Sequence, residues 1–334
     1  MRKIIDFSSN APSFISYSAV GGYEERRGPL GEGFDFCDDS DRFGKRTWEL
    51  AEAEIGRISL NISLNKAKLS PSDVDVIFAG DLENQCVASA SGLYSFGIPY
   101  VGLYSACSTC AEGLLLCSSL ISYSSLARGA VVTTSHNSAA ERQFRTPVEY
   151  GGQRSPSAQW TATAGGSFIL GDGGRVKIVD GMVGKIVDGL SLDGSDMGSA
   201  MARSAFDSIY TYFSLRGNNK GIDLVVTGDL GVIGGDVLKE MLSREGVFPP
   251  EKHVDCGTLL YDIKRKDAHA GASGCGCSAS VLASHFLPRL ERGELSEILF
   301  LSTGALMSPS SILQKQNILG LSPVVHIKSE DSKC

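Results

Sequence analysis

Tyr104-Ser105-Ala106-Cys107-Ser108-Thr109-Cys110-Ala111-Glu112-Gly113, continuing apolar and small to residue 127, decides how this chain is read. It predicts a strand end, a tight elbow at Cys107, then a helix. Cys110, Ala111, Gly113, Cys117, Ser118, Ser119, Ser122, Ser124 and Ser125 make that helix small-sided, with few charges on any face. A surface helix shows a charged stripe, and one without it is buried all round. Small side chains let layers approach from both sides, so the helix belongs between two sheets with Cys107 at its mouth. The Ser108 and Thr109 amides fall among the first N–H groups of the helix, which lack intrahelical partners. Such a start attracts anions and lowers the pKa of a thiol.

The same order of elements recurs. Val74-Asp75-Val76-Ile77-Phe78-Ala79-Gly80-Asp81-Leu82 returns as Ile222-Asp223-Leu224-Val225-Val226-Thr227-Gly228-Asp229-Leu230. A helical segment precedes each copy, at 48–68 and 201–215. Downstream, Gly271-Ala272-Ser273-Gly274-Cys275-Gly276-Cys277-Ser278-Ala279-Ser280 opens a second small-sided helix reaching about residue 290, with Pro288 ending or kinking it. An apolar strand follows at 298–302. Repeated strand–elbow–helix–strand order points to duplication. Alternating strands and helices imply parallel sheets with right-handed crossovers. Two such halves, each lending a buried helix, make a five-layer α/β/α/β/α body.

Around this frame, residues 1–45 read as loop-rich with one early strand, and 74–79, 98–103 and 130–134 as strands. Residues 138–165 read as a long loop, of the kind that is functional or at an interface. Strands at 167–170 and 175–180 flank a turn at Gly171-Asp172-Gly173-Gly174. The 334 residues carry a net charge of −7 and no basic patch, which argues against nucleic acid as a partner. No N-terminal apolar segment suggests a signal peptide, and no run suggests a membrane span. Nine cysteines without an export signal are read as reduced thiols. No Gly-x-x-x-x-Gly-Lys-Ser/Thr phosphate loop is present.

The duplicated architecture with Cys107 on the first buried helix resembles the thiolase fold. Gly80-Asp81-Leu82, Ala106-Cys107-Ser108-Thr109, Ser135-His136-Asn137, Ala140-Glu141-Arg142-Gln143-Phe144-Arg145, Glu149-Tyr150-Gly151-Gly152-Gln153, Asp196-Met197-Gly198-Ser199-Ala200-Met201 and Gly274-Cys275-Gly276-Cys277-Ser278 together resemble the stage V sporulation protein AD family. The resemblance runs over essentially the whole chain. It implies an α/β thiolase fold in two duplicated halves, 1–172 and 173–334. It further implies a non-enzymatic protein of spore-forming bacteria that binds dipicolinic acid (pyridine-2,6-dicarboxylate), free or with calcium, and serves its uptake into the developing spore. Membrane proteins of the same operon are the implied partners, with the chain docked peripherally on the cytoplasmic face of the inner forespore membrane. A homodimer with residues 138–165 near the partner is implied, and no cofactor.

The site residues follow with their alternatives. In thiolase-fold condensing enzymes the residue matching Cys107 attacks a thioester with help from one or two His, or His and Asn, of the C-terminal half. Here the His position falls at Thr227-Gly228-Asp229 and the Asn position near Ser273, so neither is kept; His269 is the one plausible substitute. Cys107 is thus a ligand contact, a packed elbow residue or, as the runner-up reading, the nucleophile of an acyl-thioester condensing enzyme. Ser108 offers its amide to a carboxylate. His136 and Asn137 end a strand of the half that carries Cys107 and are expected in the pocket. Arg142 and Arg145, three apart, suit a dicarboxylate, but an ion pair with Glu141 or Glu149 across a dimer contact is the favoured reading. Asp81 and Asp229 are repeat-related strand-end acids that cap loop amides or line the pocket. Cys107-x-x-Cys110 and Cys275-x-Cys277 both open buried helices, which argues against a zinc or redox centre. No metal site is expected.

Overall fold

Ten strands build two five-stranded sheets of matching connectivity in the computed structural model, which describes residues 2–144, 155–264 and 268–330. The first sheet runs Ser13–Gly21, Ala164–Gly171, Gly129–Ser135, Val76–Gly80, Tyr100–Gly102. The second runs Val176–Met182, Val324–Ser329, Glu297–Leu301, Leu224–Thr227, His253–Asp255. In each, the first two pairings are antiparallel and the last two parallel. The two sheets touch edge to edge where Ser13 stands opposite Lys177.

Repeat-related side chains do the same work in both copies. Asp75 Oδ2 accepts the amides of Ala127 (2.7 Å) and Arg128 (2.9 Å) just before strand Gly129–Ser135. Asp223 Oδ2 accepts those of Ser296 (2.6 Å) and Glu297 (3.1 Å) at the start of strand Glu297–Leu301. Each acid ties the entry of one parallel strand to the entry of its neighbour.

Helix Thr109–Tyr123 lies between the sheets, against Gly129–Ser135 and Val76–Gly80 on one side and Val324–Ser329 and Val176–Met182 on the other. Cys110, Ala111, Leu114 and Cys117 on it are fully buried. A Cβ at its Gly113 would stand 2.8 Å from the Val131 side chain, so the close approach needs glycine there. The second buried helix starts as Cys275–Val281, widens into a π-helical turn at Leu282–Phe286 and ends as Leu287–Glu291. Pro288 has no N–H to return to the preceding turn, and the wider turn absorbs that loss. Trp48–Ala67 and Val87–Leu93 cover the outer face of the first sheet; Met197–Arg216 and Gly231–Glu245 cover the second. The result is a five-layer α/β/α/β/α arrangement. Thr47 and Asp196 start two of the outer helices, accepting the amides of Leu50 (3.3 Å) and Ser199 (3.2 Å).

Three expectations change. The early strand is Ser13–Gly21, nine residues long, at the edge of its sheet that meets the other sheet. Its serines are buried because Ser16 and Ser18 donate to the Ser63 and Ser59 carbonyls of the covering helix at 2.7 and 2.8 Å. The start of the expected 138–165 loop is a helix, Asn137–Phe144, and Trp160–Thr161 forms a short strand with Ala272–Ser273. Arg145 and Glu149 lie outside the described residues. Finally, 106–123 is long and apolar enough by composition to cross a membrane. Its place between two sheets accounts for that character.

Candidate functional site

The elbow is a single 3-10 turn, Ala106–Ser108, feeding helix Thr109–Tyr123. Ala106 takes φ +49°, a left-handed conformation rarely held by a residue with a Cβ. That twist folds the turn on itself. The Ser108 amide donates to Ser105 O at 3.1 Å and the Thr109 amide to Ala106 O. Their hydroxyls add bonds to the same two carbonyls at 2.6 and 2.7 Å. The amides expected to receive an anion are therefore already engaged.

The thiol also departs from expectation. Cys107 is 6 % exposed. Burial, then the nearby Asp229 and Cys275, push its thiol well above its ordinary value, and the Gly274 amide opposes them only in part. The helix start does not create a thiolate here, because apolar surroundings and an acid outweigh it.

Asp229 ends strand Leu224–Thr227 and reaches the sulfur from the other half. Its side chain is fully buried, and each oxygen accepts a hydrogen bond: Oδ2 from the Gly274 amide at 2.8 Å and Oδ1 from the Thr303 hydroxyl at 2.7 Å. Its carbonyl accepts Gln159 Nε2 at 2.7 Å. Burial pushes its carboxyl up to about 7, against the pull of Cys107, Thr303 and Gly274. A carboxyl raised this far can carry a proton near neutral pH, and its protonated form can donate as well as accept. Gly274 needs its φ of +102°, and a Cβ on it would meet Ser135 Oγ at 2.7 Å. Cys275, which follows it, donates its thiol to Thr134 O at 2.9 Å.

A second acid braces the turn that carries Asp229. Asp255 accepts the amides of Leu230 (2.8 Å) and Gly231 (2.9 Å) and the Thr227 hydroxyl (2.7 Å). His253 Nε2 lies 2.8 Å from the same hydroxyl. Burial lowers the His253 pKa to about 4, so this imidazole is neutral and faces Thr227. Asp255, Thr303 and Gln159 were not singled out from the sequence, and Gly274 stood there only as part of the motif that opens the second helix. The one local signal was the Asp255-x-x-Thr258 spacing of a helix cap, borne by a 3.2 Å bond.

The remaining expected residues sit apart from the sulfur. Asp81 closes on its own loop, accepting the amides of Glu83 (2.8 Å) and Ser89 (2.7 Å) and the Ser89 hydroxyl (2.6 Å), which is its capping reading. His136 stacks on Trp48 with ring centroids 5.2 Å apart. Its Nε2 meets Asp41 O at 2.8 Å and its Nδ1 accepts the Ser138 amide at 3.1 Å. Asn137 donates to Thr161 O at 3.3 Å. Arg142 is exposed and paired with Glu49. His269 lies in the turn before Ala272–Ser273 with φ +40°. His285 lies 3.3 Å from Arg289, and His326 is held between Asp180 and Glu297. The groups that set the Cys107 thiol are thus an acid, a second thiol and an amide, with no imidazole among them. Chemically, the arrangement holds a protonated thiol beside a buried acid, packed among Cys275, Leu82 and Ala140. Among the described residues, no cluster of three His, Cys, Asp or Glu side chains has the geometry of a metal site.

Comparison with known proteins follows from this geometry. The profile of the stage V sporulation protein AD family matches residues 2–328. Stage V sporulation protein AD of Bacillus subtilis (strain 168) is 38% identical over 310 residues, covering 92% of this chain and 91% of that protein. Among solved structures, 3-oxoacyl-[acyl-carrier-protein] synthase III from Aquifex aeolicus VF5 superimposes with a TM-score of 0.58 at 12% identity, covering 94% of this chain and 99% of that one. A variant of OleA from Xanthomonas campestris gives 0.58 at 12% identity, over 95% and 98% of the two chains. These two likenesses show the thiolase-like fold.

Proposed function

The chain belongs to the stage V sporulation protein AD family, and from that premise we propose that it is a dipicolinate-binding protein that performs no chemistry on its ligand. It is a sporulation protein with a thiolase-like fold. The observation that carries the reading is the partner of Cys107: a buried acid, Asp229, at the strand end where the condensing enzymes it resembles carry an imidazole. A thiol held protonated is a poor nucleophile, and both Asp229 oxygens already accept hydrogen bonds, from Gly274 and Thr303.

The charge balance favours the calcium chelate over the free dianion. Burial keeps Cys107 neutral and disfavours the charged form of Asp229, and the groups acting on the thiol include no cation. A bare dianion brought there would be a buried, unpaired charge. A 1:1 calcium chelate carries no net charge, and Asp229 in its acid form donates to a chelate carboxylate. Arg142, engaged with Glu49 at the surface, is outside this contact set.

The chain would act as a homodimer, peripherally attached through membrane proteins of the same operon at the cytoplasmic face of the inner forespore membrane. A second copy is the proposed occupant of strand Tyr100–Gly102, an edge strand with all three residues exposed, flanked by exposed Tyr94 and Tyr104. The opposite edge, His253–Asp255, is largely buried, so the two ends of the sheet pair differ in what they offer a neighbour.

Calorimetric titration tests the ligand. Equimolar calcium and dipicolinate should give saturable heat that is lost in Asp229→Arg; no heat at millimolar ligand rejects the reading. The structural neighbours support a second reading, an acyl-thioester condensing enzyme with Cys107 as nucleophile. Incubation with acyl-CoA followed by intact-mass measurement separates the two, since only the enzyme acquires an acyl adduct on Cys107.

A further inference from the structure

Two segments cover Cys107. Leu82 of the loop after strand Val76–Gly80, and Ala140 and Phe144 of helix Asn137–Phe144, pack with Cys275 around the thiol. Side-chain amide chemistry ties the two segments together. Gln143 Nε2 donates to Leu82 O at 2.8 Å, and Gln143 Oε1 accepts the Asn84 amide at 3.0 Å. One side chain thereby satisfies both polarities of the loop backbone, as a paired strand would.

The loop beneath this clasp is built to move. Gln85 and Cys86, consecutive residues with side chains, sit at φ +62° and +52°. Such conformations cost free energy and persist only while the surroundings hold them. Glu83 points inward, buried, toward the carboxyl of buried Glu52. Two like acids share that seat, so no ion pair holds it. By contrast, the loop's far end is fixed: Asp81 binds the amide and hydroxyl of Ser89, and Cys86 Sγ donates to Leu103 O at 3.1 Å. What changes most cheaply is the contact between Leu82–Asn84 and the helix.

We propose that Gln143 is the latch of a gate: the loop at 82–84 and helix Asn137–Phe144 close over Cys107, and breaking the two Gln143 hydrogen bonds opens the path to it. That the opened path admits dipicolinate rests on the function proposed above; the gate itself does not. The latch uses the only polar side chain of the helix that reaches the loop backbone in the described hydrogen bonds, while Arg142 beside it turns outward to Glu49.

The test is alkylation of the full chain by iodoacetamide, followed cysteine by cysteine through peptide-mapping mass spectrometry. Cys117, fully buried in helix Thr109–Tyr123, is the internal reference for global opening. Gln143→Ala should alkylate Cys107 at least tenfold faster than the wild type with Cys117 unchanged. Gln143→Glu keeps the acceptor for Asn84 but loses the donor to Leu82, and should fall between the two. No acceleration at Cys107, or acceleration of Cys107 and Cys117 together, overturns the gate. Adding calcium and dipicolinate to Gln143→Ala separates the two claims: protection of Cys107 supports both, whereas rapid alkylation without protection keeps the gate and removes the ligand assignment.

Discussion

Gly274 gives its amide proton to Asp229 Oδ2 at 2.8 Å, and this bond sets the acid of the second repeat against the sulfur of the first. It joins the end of strand Leu224–Thr227 to the start of the second buried helix, Cys275–Val281. Both buried helices therefore begin at one point, and Cys107 and Cys275 occupy corresponding places at their starts. The chemistry of the pocket follows from what that junction holds.

Replacing Asp229 by Asn keeps an acceptor for Gly274 and removes the charge that raises the Cys107 thiol. Alkylation of Cys107 at pH 8 should then be about tenfold faster, the effect of a thiol pKa lower by roughly one unit. Asp229→Ala instead leaves the Gly274 amide and Thr303 hydroxyl unpaired and should cost about 2 kcal/mol in urea unfolding.

Close packing at the second helix start predicts a larger loss. A Cβ at Gly276 would stand 2.0 Å from Ala164 O and 2.6 Å from Ser135 Oγ, both in the first sheet. Backbone cannot yield as a side chain end does. Gly276→Ala should destabilise the fold by about 3 kcal/mol, read as a lower denaturant midpoint with unchanged slope.

His326 carries a pH dependence of opposite sign on its two sides. Its Nδ1 is 3.0 Å from Asp180 and its Nε2 3.1 Å from Glu297, in the middle of the second sheet. Burial alone lowers its pKa, but the two carboxylates outweigh burial and hold it above 6.5. Its stabilising contribution is full below 6.5 and is lost as pH rises through the raised folded value. Glu297, held down to about 2 first by His326, contributes above 4.5 and loses that contribution as pH falls toward 2. Unfolding free energy should therefore peak between these limits. His326→Ala should flatten the alkaline limb and cost about 2 kcal/mol at pH 6, because half-buried Asp180 and buried Glu297 each lose one charged partner while keeping Tyr212 and Lys328.

Val101→Lys tests the proposed dimer at the exposed edge strand Tyr100–Gly102. A charge on a strand edge blocks pairing with a second copy. Light scattering on eluting protein should show wild type at twice the chain mass and the variant at one. A wild-type monomer at tens of micromolar would dispose of the dimer.

The fold was legible because its signals are local. Apolar runs such as Val76–Gly80 and Leu224–Thr227 announce buried parallel strands, and the acids following them mark the repeat. Small residues along Thr109–Tyr123 announced a helix between layers. Strand Ser13–Gly21 was harder to read because its serines look like loop residues until Ser59 and Ser63, far along the chain, supply their acceptors. The site was legible only in part, for the same reason. Cys107 and Asp229 are both found in the sequence, but their meeting depends on Gly274 and Thr303, which carry no pattern of their own. His136 and Arg142 look like ligand residues in one dimension, and Trp48 and Glu49 at the start of a distant helix claim them in three.

The most direct test of the whole account is a crystal of the protein soaked with calcium and dipicolinate, read by difference density. The account predicts an intact pyridine dicarboxylate chelate against Cys107 and Asp229, with the 82–84 loop displaced from Gln143 and no covalent bond to sulfur. Density for the chelate elsewhere, or a ligand covalently attached to Cys107, would contradict it.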